Sequence, residues 1–495
     1  MRRNYNRDLF KNIEELQQSI SDLKGTFSDY KIQAEIRIAE LEDTVSRQEN
    51  EIDELKSENN KLRKDNERLK RRINNNSSNS SLPPSSDQKP SKPANTYNGR
   101  QKTGKPAGGQ PGHPGKTLTK ERMIEMIESG DCIHTITDTG EKTRDYVSRF
   151  VIDIKPQIVI TEIRIHADEE NKFVIPEEYN SSVIYGNNFK SLCIQLYTQG
   201  VCSYRRIAEI MSEMLGNRIE VSEGTVVNIC KEFSKKCERS LEQITTKLLD
   251  SEVLYTDSTV VTLKGVQAYI RNQSIPEAVL YSSMNSKSIE ALEKLPVVNN
   301  YTGAFMHDHE TALYHFGTSH AECGAHILRY LRKNSEETGH KWSDDMQSLL
   351  LVVNQIKKEN LESGAPMPSE TDIWPIVLKE YDEILEAGRC ENKTLKFELA
   401  KEDEIKLLNR LEKFKDNHLL FATRKDVDFT NNLSERDLRK CKNRQKMSGG
   451  FRTEDGKHNF CRILSVYETL KRCGKSGINA IKALFEGSPI WANEN

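Results

Sequence analysis

The sequence predicts an α/β protein in which a short β-rich core is set among long helical stretches. Between residues 253 and 308, brief apolar and β-branched runs follow one another, at 253–261, 268–270, 278–281 and 303–308, with turn residues between them. On both sides of that core, apolar residues recur at helical spacing over long charged segments. The length, 495 residues, leaves room for roughly three domains at about 150 residues each.

Composition excludes several classes. No stretch approaches the ~18 consecutive apolar residues of a membrane helix. The start, Met1-Arg2-Arg3-Asn4-Tyr5, leads into polar residues where a secretory signal would carry an apolar core, so export is not expected. Ten cysteines lie scattered without a Cys-x-x-Cys pair, which points to reduced thiols in a cytoplasm and away from a disulfide scaffold or zinc ribbon. A net charge of -2 decides nothing by itself; the distribution of charge is informative.

The first element, residues 1–74, reads as a coiled coil. Ile13, Leu16, Ile20, Leu23, Phe27 and Tyr30, then Ile38, Leu41, Val45, Ile52, Leu55, Leu62, Leu69 and Ile73, recur at three- and four-residue spacing, with a slip between Ala34 and Ile38 that reads as a stutter. Asn59 and Asn66 fall on the seam, where buried Asn sets register and oligomeric state, so a parallel homo-oligomer is expected. The alternative is a helix folded back on its own chain. Residues 75–120 follow as a basic disordered linker: a Ser/Asn/Pro tract cannot bury a core, and residues 70–120 hold ten Lys/Arg against the single acid Asp87. Such an arm suits a phosphate backbone, although a solvated linker has the same composition.

Residues 121–180 read as a small β module, because 149–154 and 158–165 alternate and are β-branched. Residues 181–248 read as a helix-turn-helix: a helix ending at Gly216, a short turn, and a second helix capped by Ser222. Arg205, Arg206 and Thr225 are its candidate DNA contacts, while plain helical hairpins share the pattern.

The chemistry lies in residues 249–460. Asp257 and Asp308 each interrupt an apolar strand, and a carboxylate there is costly unless it is paired or holds a cation; singly, each reads as a strand-end cap. Downstream, after a charged helical insertion at about 335–420, Glu435 opens a helix on which Arg436 to Arg452 supply seven bases against Asp437. A carboxylate on a basic helix suits a metal beside a phosphate backbone, and a solvated helix with an internal salt bridge is the plain alternative. A competing cluster, His307, His309, His315, His320, Cys323 and His326, has residue types that bind zinc but matches no familiar zinc spacing.

Taken in order, segments 77–87, 108–118 and 203–228, Asp257, Asp308, segment 323–326 (Cys-Gly-Ala-His) and segment 431–439 resemble bacterial transposases of insertion-sequence family sixty-six; within the C-terminal helical segment 461–495, residues 463–484 resemble that family's C-terminal helical segment. The resemblance implies a ribonuclease H-like (retroviral-integrase-like) catalytic core with an Asp-Asp-Glu triad, here Asp257, Asp308 and Glu435. It implies Mg²⁺ or Mn²⁺ as cofactor, Asp257 bridging two ions, and phosphodiester transfer without a covalent protein–DNA intermediate. Arg436, Arg439, Lys440 and Arg444 would hold the DNA backbone. The implied partners are element terminal inverted repeats, target DNA, a second copy of the chain and accessory proteins of the same element, in the cytoplasm at the nucleoid. One departure stands out: the family commonly carries paired cysteines before the helix-turn-helix, whereas residues 119–180 hold only Cys132, His134 and His166, so zinc is not expected there. Two further readings share these features: an oligomeric DNA-binding repressor without catalysis, and a metal-dependent nuclease that cuts without joining.

Overall fold

The computed structural model describes residues 2–74, 119–130, 132–137, 147–154, 157–167 and 169–491, so the linker expected at 75–120 lies almost wholly outside the described residues. The chain divides into two compact units, one comprising the N-terminal helix and residues 392–406 and the other the rest. No described helix is long and apolar enough to cross a membrane.

In the first unit, α1 (Arg2–Asn74) is one uninterrupted helix, which excludes a hairpin folded on itself. Its apolar seam is bare within the single chain: Leu23 is 68% and Leu62 61% exposed. A helix with such a stripe gains stability only when another surface covers it.

The second unit begins with α2 (Lys120–Glu128), capped by Thr119. Here the β module needs correction. Among the described residues of 147–175 there is no strand, and Val151 (92%), Ile154 (86%) and Ile160 (88%) are exposed. Alternation supplies the strand preference, but a two-stranded ribbon is marginal without a third strand or a helix over its apolar face, and among the described residues no third strand pairs with these runs.

Helices α3 (Asn187–Thr198), α4 (Tyr204–Met214), α5 (Glu223–Lys236) and α6 (Glu238–Leu249) follow. Ser203 accepts from Arg206 N and Ser222 from Thr225 N, the serine caps that start α4 and α5. Between them Gly216 and Asn217 both take positive φ (65° and 57°), which ends α4 and turns the chain.

The core is a five-stranded mixed sheet in the order β3-β2-β1-β4-β5. β1 (Val253–Leu263) and β2 (Val266–Ser274) form an antiparallel hairpin, with Lys264 and Gly265 in the left-handed region (φ 51° and 82°) that a two-residue turn requires. β3 (Val279–Met284) adds antiparallel to β2. The chain then crosses through α7 (Ile289–Glu293) and α8 (Pro296–Asn300) to β4 (Ala304–His307), parallel to β1, and on to β5 (Ser319–Glu322), parallel to β4.

After β5 come α9 (Gly324–Thr338), the inserted helices α10 (Trp342–Ser363), α11 (Trp374–Thr394), α12 (Glu398–Lys413) and α13 (Lys415–Thr423), then α14 (Asn432–Ser448), α15 (Glu454–Arg472) and α16 (Ile478–Phe485). Helix α15 runs through the boundary expected at 460/461. It packs on β3, where Thr469 Oγ1 and Ser465 Oγ accept the edge N–H groups of Val279 and Tyr281, so the sheet edge is closed by side chains. Helix α14 packs on β1 and β2.

Candidate active site

The site is assembled from a strand, a strand end and two helix starts. The parallel ladder pairs Tyr255 with Met306. Asp257 and Asp308 each stand two residues beyond that pair, on neighbouring strands and the same face. Asp257 is held from both sides: its N–H donates to Asn272 Oδ1 (3.0 Å), and its Oδ1 accepts from Ser258 N (2.6 Å). Asn272 in turn donates to Ser434 Oγ (3.0 Å) at the start of α14, one residue before Glu435. Asn431, ahead of that helix, donates from Nδ2 to Thr256 O (2.9 Å), and its N–H donates to Cys323 Sγ (3.2 Å). These contacts fix the start of α14 against β1 at the height of Asp257.

His326, in the first turn of α9, is the meeting point. Its Nδ1 is 3.2 Å from Asp308 Oδ1 and 3.9 Å from Glu435 Oε1, and Arg329 Nη1 donates to its Nε2 at 3.0 Å. Asp308 and Glu435 therefore meet at one imidazole, and Asp257 lies near enough to Asp308 for the two carboxylates to feel each other's charge. Glu435 Oε1, Ser258 Oγ and Asn431 Oδ1 are buried and, among the described residues, make no hydrogen bond, and Asp308 Oδ1 has only the imidazole at 3.2 Å, out of line for a good one.

Electrostatics follow from that crowding. Burial, and then the nearby Asp308 carboxylate, push Asp257 up to about 6. Burial would also raise Asp308, but contacts with His326 and Asn431 outweigh it and hold Asp308 below its ordinary value. For His326, burial opposes charge while hydrogen bonding to Asp308 and Cys323 raises it to about 11. The Arg329 contact acts the other way, because a doubly protonated ring would turn an N–H toward the guanidinium; it favours a neutral ring with its proton on Nδ1, facing the carboxylates.

Buried carboxylates in like-charge proximity, with too few donors to satisfy all their oxygens, fit a hard divalent cation, which takes oxygen ligands and relieves their repulsion. A softer set is also present, since ligand atoms of Asp308, Cys323 and His326 all lie within 4.8 Å of one another. The larger His/Cys cluster does not converge. His307 Nε2 pairs with His320 Nδ1 (3.2 Å), His309 Nδ1 lies 2.6 Å from Glu322, and His315 is exposed.

The basic residues separate into two groups. Arg436 and Arg439 are exposed on α14, beside Glu435. Arg205 and Arg206 are exposed on α4, Arg205 bonded to Glu209 (2.9 Å), and Thr225 is half-buried at the start of α5 with Ser222. Lys440 is half-buried and donates to Gln199 Oε1 (3.0 Å). Arg444 requires correction as a backbone contact: it is 4% exposed, donates to Cys202 O (2.5 Å), and stacks over Tyr197, Tyr204 and Phe460. A guanidinium buried in this way is withdrawn from the surface a phosphate backbone would touch. Asp437, the acid among the bases, is bound to Arg472 (2.5 Å) and Ser274 (2.6 Å) and holds α14 to α15 and β2.

Sequence reasoning missed Asn272, Arg271 and Glu322. Asn272 and Arg271 sit in a polar stretch, Arg271-Asn272-Gln273-Ser274, that is wholly buried; only the sheet register brings Asn272 opposite Asp257.

Comparison with known proteins bears on the same residues. A family model described as Transposase IS66 family matches residues 182–459, more than half of the chain and inclusive of all three carboxylates. A second, described as a family of unknown function, matches residues 6–119. A relative named Uncharacterized protein y4jO, from Sinorhizobium fredii (strain NBRC 101917 / NGR234), is 39% identical over 75 residues, which are 15% of this chain and 23% of that protein. The chain thus spans less than a quarter of the curated relative it matches.

Proposed function

The chain belongs to the Transposase IS66 family, and from that premise we propose that it cuts the ends of a mobile DNA element and joins the freed 3′-OH to target DNA by Mg²⁺- or Mn²⁺-dependent phosphodiester transfer. The observation that carries this reading is that Asp257 and Asp308 follow one paired position of neighbouring strands while Asp308 and Glu435 both reach His326, with Glu435 Oε1 buried and free of donors among the described residues. The sheet order, with an antiparallel β3-β2-β1 and parallel β4 and β5, supports a ribonuclease H-like core.

In the first reaction a water oxygen bonds to phosphorus and the P–O3′ bond breaks, releasing a 3′-OH. In the second that 3′ oxygen bonds to a target phosphorus and a target P–O bond breaks. Asp257, Asp308 and Glu435 would hold divalent cations, which when bound lower the pKa of water and stabilise charge on phosphate oxygens. Asp257 would serve in its ionised form, which burial and Asp308 disfavour in the metal-free chain and a bound divalent cation would favour. Asn272 and Ser258 keep its carboxylate aimed off the strand, and His326 offers a donor between the other two acids. Arg436 and Arg439 suit the DNA backbone beside the triad. Arg205, Arg206 and Thr225 suit end recognition by α4 and α5, and the bare seam of α1 suits a second copy of the chain.

The test is Mg²⁺-dependent cleavage and strand transfer on DNA carrying the parent element's ends, with the element's accessory proteins supplied. Asp257→Asn and Glu435→Gln should abolish both reactions while leaving DNA binding intact. Full activity in either variant would remove the triad assignment. A native chain that binds the ends and never cuts would replace the proposal with a repressor.

A further inference from the structure

Asp308 leaves β4 into a turn that is tied down on both sides. The next residue, His309, has φ of 61°, a left-handed conformation that non-glycine residues rarely adopt. Three groups hold it there. Glu322 Oε1 lies 2.6 Å from His309 Nδ1, Tyr314 OH donates to the same carboxylate oxygen at 2.5 Å, and the Phe414 ring meets the imidazole edge to face at 4.9 Å. The residue after, Glu310, is gripped through both carboxylate oxygens by Arg271 (2.5 and 2.6 Å), and its N–H donates to His307 Nδ1 (3.2 Å). Arg271 also donates to Thr256 Oγ1 (3.0 Å), next to Asp257. The strand of one carboxylate is thereby linked to the turn of the other.

Glu322 is the least expected member of this arrangement. It ends β5, is 3% exposed, and divides its oxygens between two tasks. While Oε1 serves the Asp308 turn, Oε2 receives Arg410 Nη2 of α12 (2.5 Å) and lies 3.3 Å from His418 Nε2 of α13. Arg410 stacks over Tyr330 of α9 at 5.0 Å, and His418 Nδ1 meets Tyr381 OH of α11 at 3.2 Å. Burial disfavours the Glu322 charge, but His309, His418 and Arg410 together hold it ionised, well below the usual carboxylate range. A buried ion pair is weak evidence for stability, since apolar side chains of similar volume fill such a space as well. What the carboxylate supplies and an apolar group would not is a directional link from the inserted helices to the turn at Asp308.

We propose that Glu322 is a positioning residue for Asp308: through His309 it fixes the turn that aims the carboxylate, and through Arg410 and His418 it makes that aim depend on the helical insertion. This rests on the reading of Asp308 as a metal ligand. It predicts that metal affinity responds to changes on α12, although no residue of α12 is a ligand.

The test uses the full chain and Mn²⁺ alone, with free ion followed by electron paramagnetic resonance, alongside urea unfolding. Glu322→Gln, Arg410→Met and His309→Gly should each weaken Mn²⁺ binding by roughly 10–100-fold, the range seen when partners behind metal ligands are removed. Glycine adopts the left-handed φ freely, so His309→Gly keeps the backbone route and decides the matter should Glu322→Gln fail to fold. Lower urea midpoints with unchanged Mn²⁺ binding in the folded variants would overturn the proposal and leave a purely structural network. Asp308→Asn separates the two levels. If it abolishes Mn²⁺ binding while the other variants bind normally, only this inference falls; if it binds normally too, the metal-site reading falls with it.

Discussion

Replacing Arg444 with methionine tests whether burial, not charge, explains a basic residue on the helix proposed to lie against DNA. In the folded chain the guanidinium donates to Cys202 O at 2.5 Å and lies 4.6, 5.6 and 5.8 Å from the ring centroids of Tyr197, Tyr204 and Phe460. A hydrogen bond from a charged donor contributes about 1.5–3 kcal/mol, and a desolvated cation–π contact adds about 2 kcal/mol. Against this, Arg444 Nε is buried without an acceptor, and removing it returns about 1–3 kcal/mol. Methionine retains the apolar packing, so the expected net loss is about 2 kcal/mol, read as a lower urea midpoint with an unchanged slope. Binding to element-end DNA is then measured against salt. Each phosphate contact contributes about 0.9 to the slope of log K on log salt, so Arg444→Met should leave the slope as it was. Arg436→Ala and Arg439→Ala should each reduce it by about that amount and change stability by less than about 0.5 kcal/mol. An Arg444→Met chain of native stability whose salt slope falls by about one would refute the argument and return Arg444 to the phosphate contacts.

Burial, and then the neighbouring His320, hold His307 down to about 3 from an ordinary 6.5. Its contribution is therefore complete above about pH 6.5 and is lost as pH falls toward 3, a few kcal/mol at about 1.4 kcal/mol per unit; His307→Gln should flatten the pH dependence of urea unfolding between pH 7 and 4, and an unchanged profile would disprove it. A Cβ at Gly324 would run into the Phe429 ring, so Gly324→Ala should cost about 1–3 kcal/mol in thermal unfolding, recovered in part by adding Phe429→Leu. Leu55→Lys with Leu62→Lys places charge on the seam of α1, and light scattering should then report a monomer; an unchanged mass would move the assembly surface elsewhere.

Much of the core was readable because strands buried on both faces are apolar runs. Four such runs correspond to β1, β2, β3 and β4. The fifth, Ser319-His320-Ala321-Glu322, carries three polar side chains and a single apolar one, and His320 read as part of a zinc-like cluster, because the partners of this strand lie far away: Arg410 is 88 residues from Glu322. For the same reason Asn272 was invisible, since its meaning depends on the register of β2 against β1 and on Ser434, 162 residues downstream. Asp257 and Asp308 were legible as charges that an apolar strand does not otherwise tolerate. The runs at 149–154 and 158–165 show the opposite failure, in which local strand preference is clear but Val151, Ile154 and Ile160 stay exposed among the described residues. Arg444 shows that a basic helix has an inside as well as an outside, and periodicity on a helix this polar did not separate them.

The distance along the chain between the parts of the site also sets a clock. Thr256, beside the first carboxylate, is bonded to Asn431, 175 residues later and just ahead of the last. At about 5–20 residues per second, a ribosome that has made the first strand needs roughly ten to thirty-five seconds more to deliver the helix that completes the set. Throughout that interval the nascent chain already carries α4 and α5 but not Glu435. On the proposed roles, an interrupted product would hold the helices assigned to end recognition without the full set of carboxylates, so it would bind element ends and not cut them.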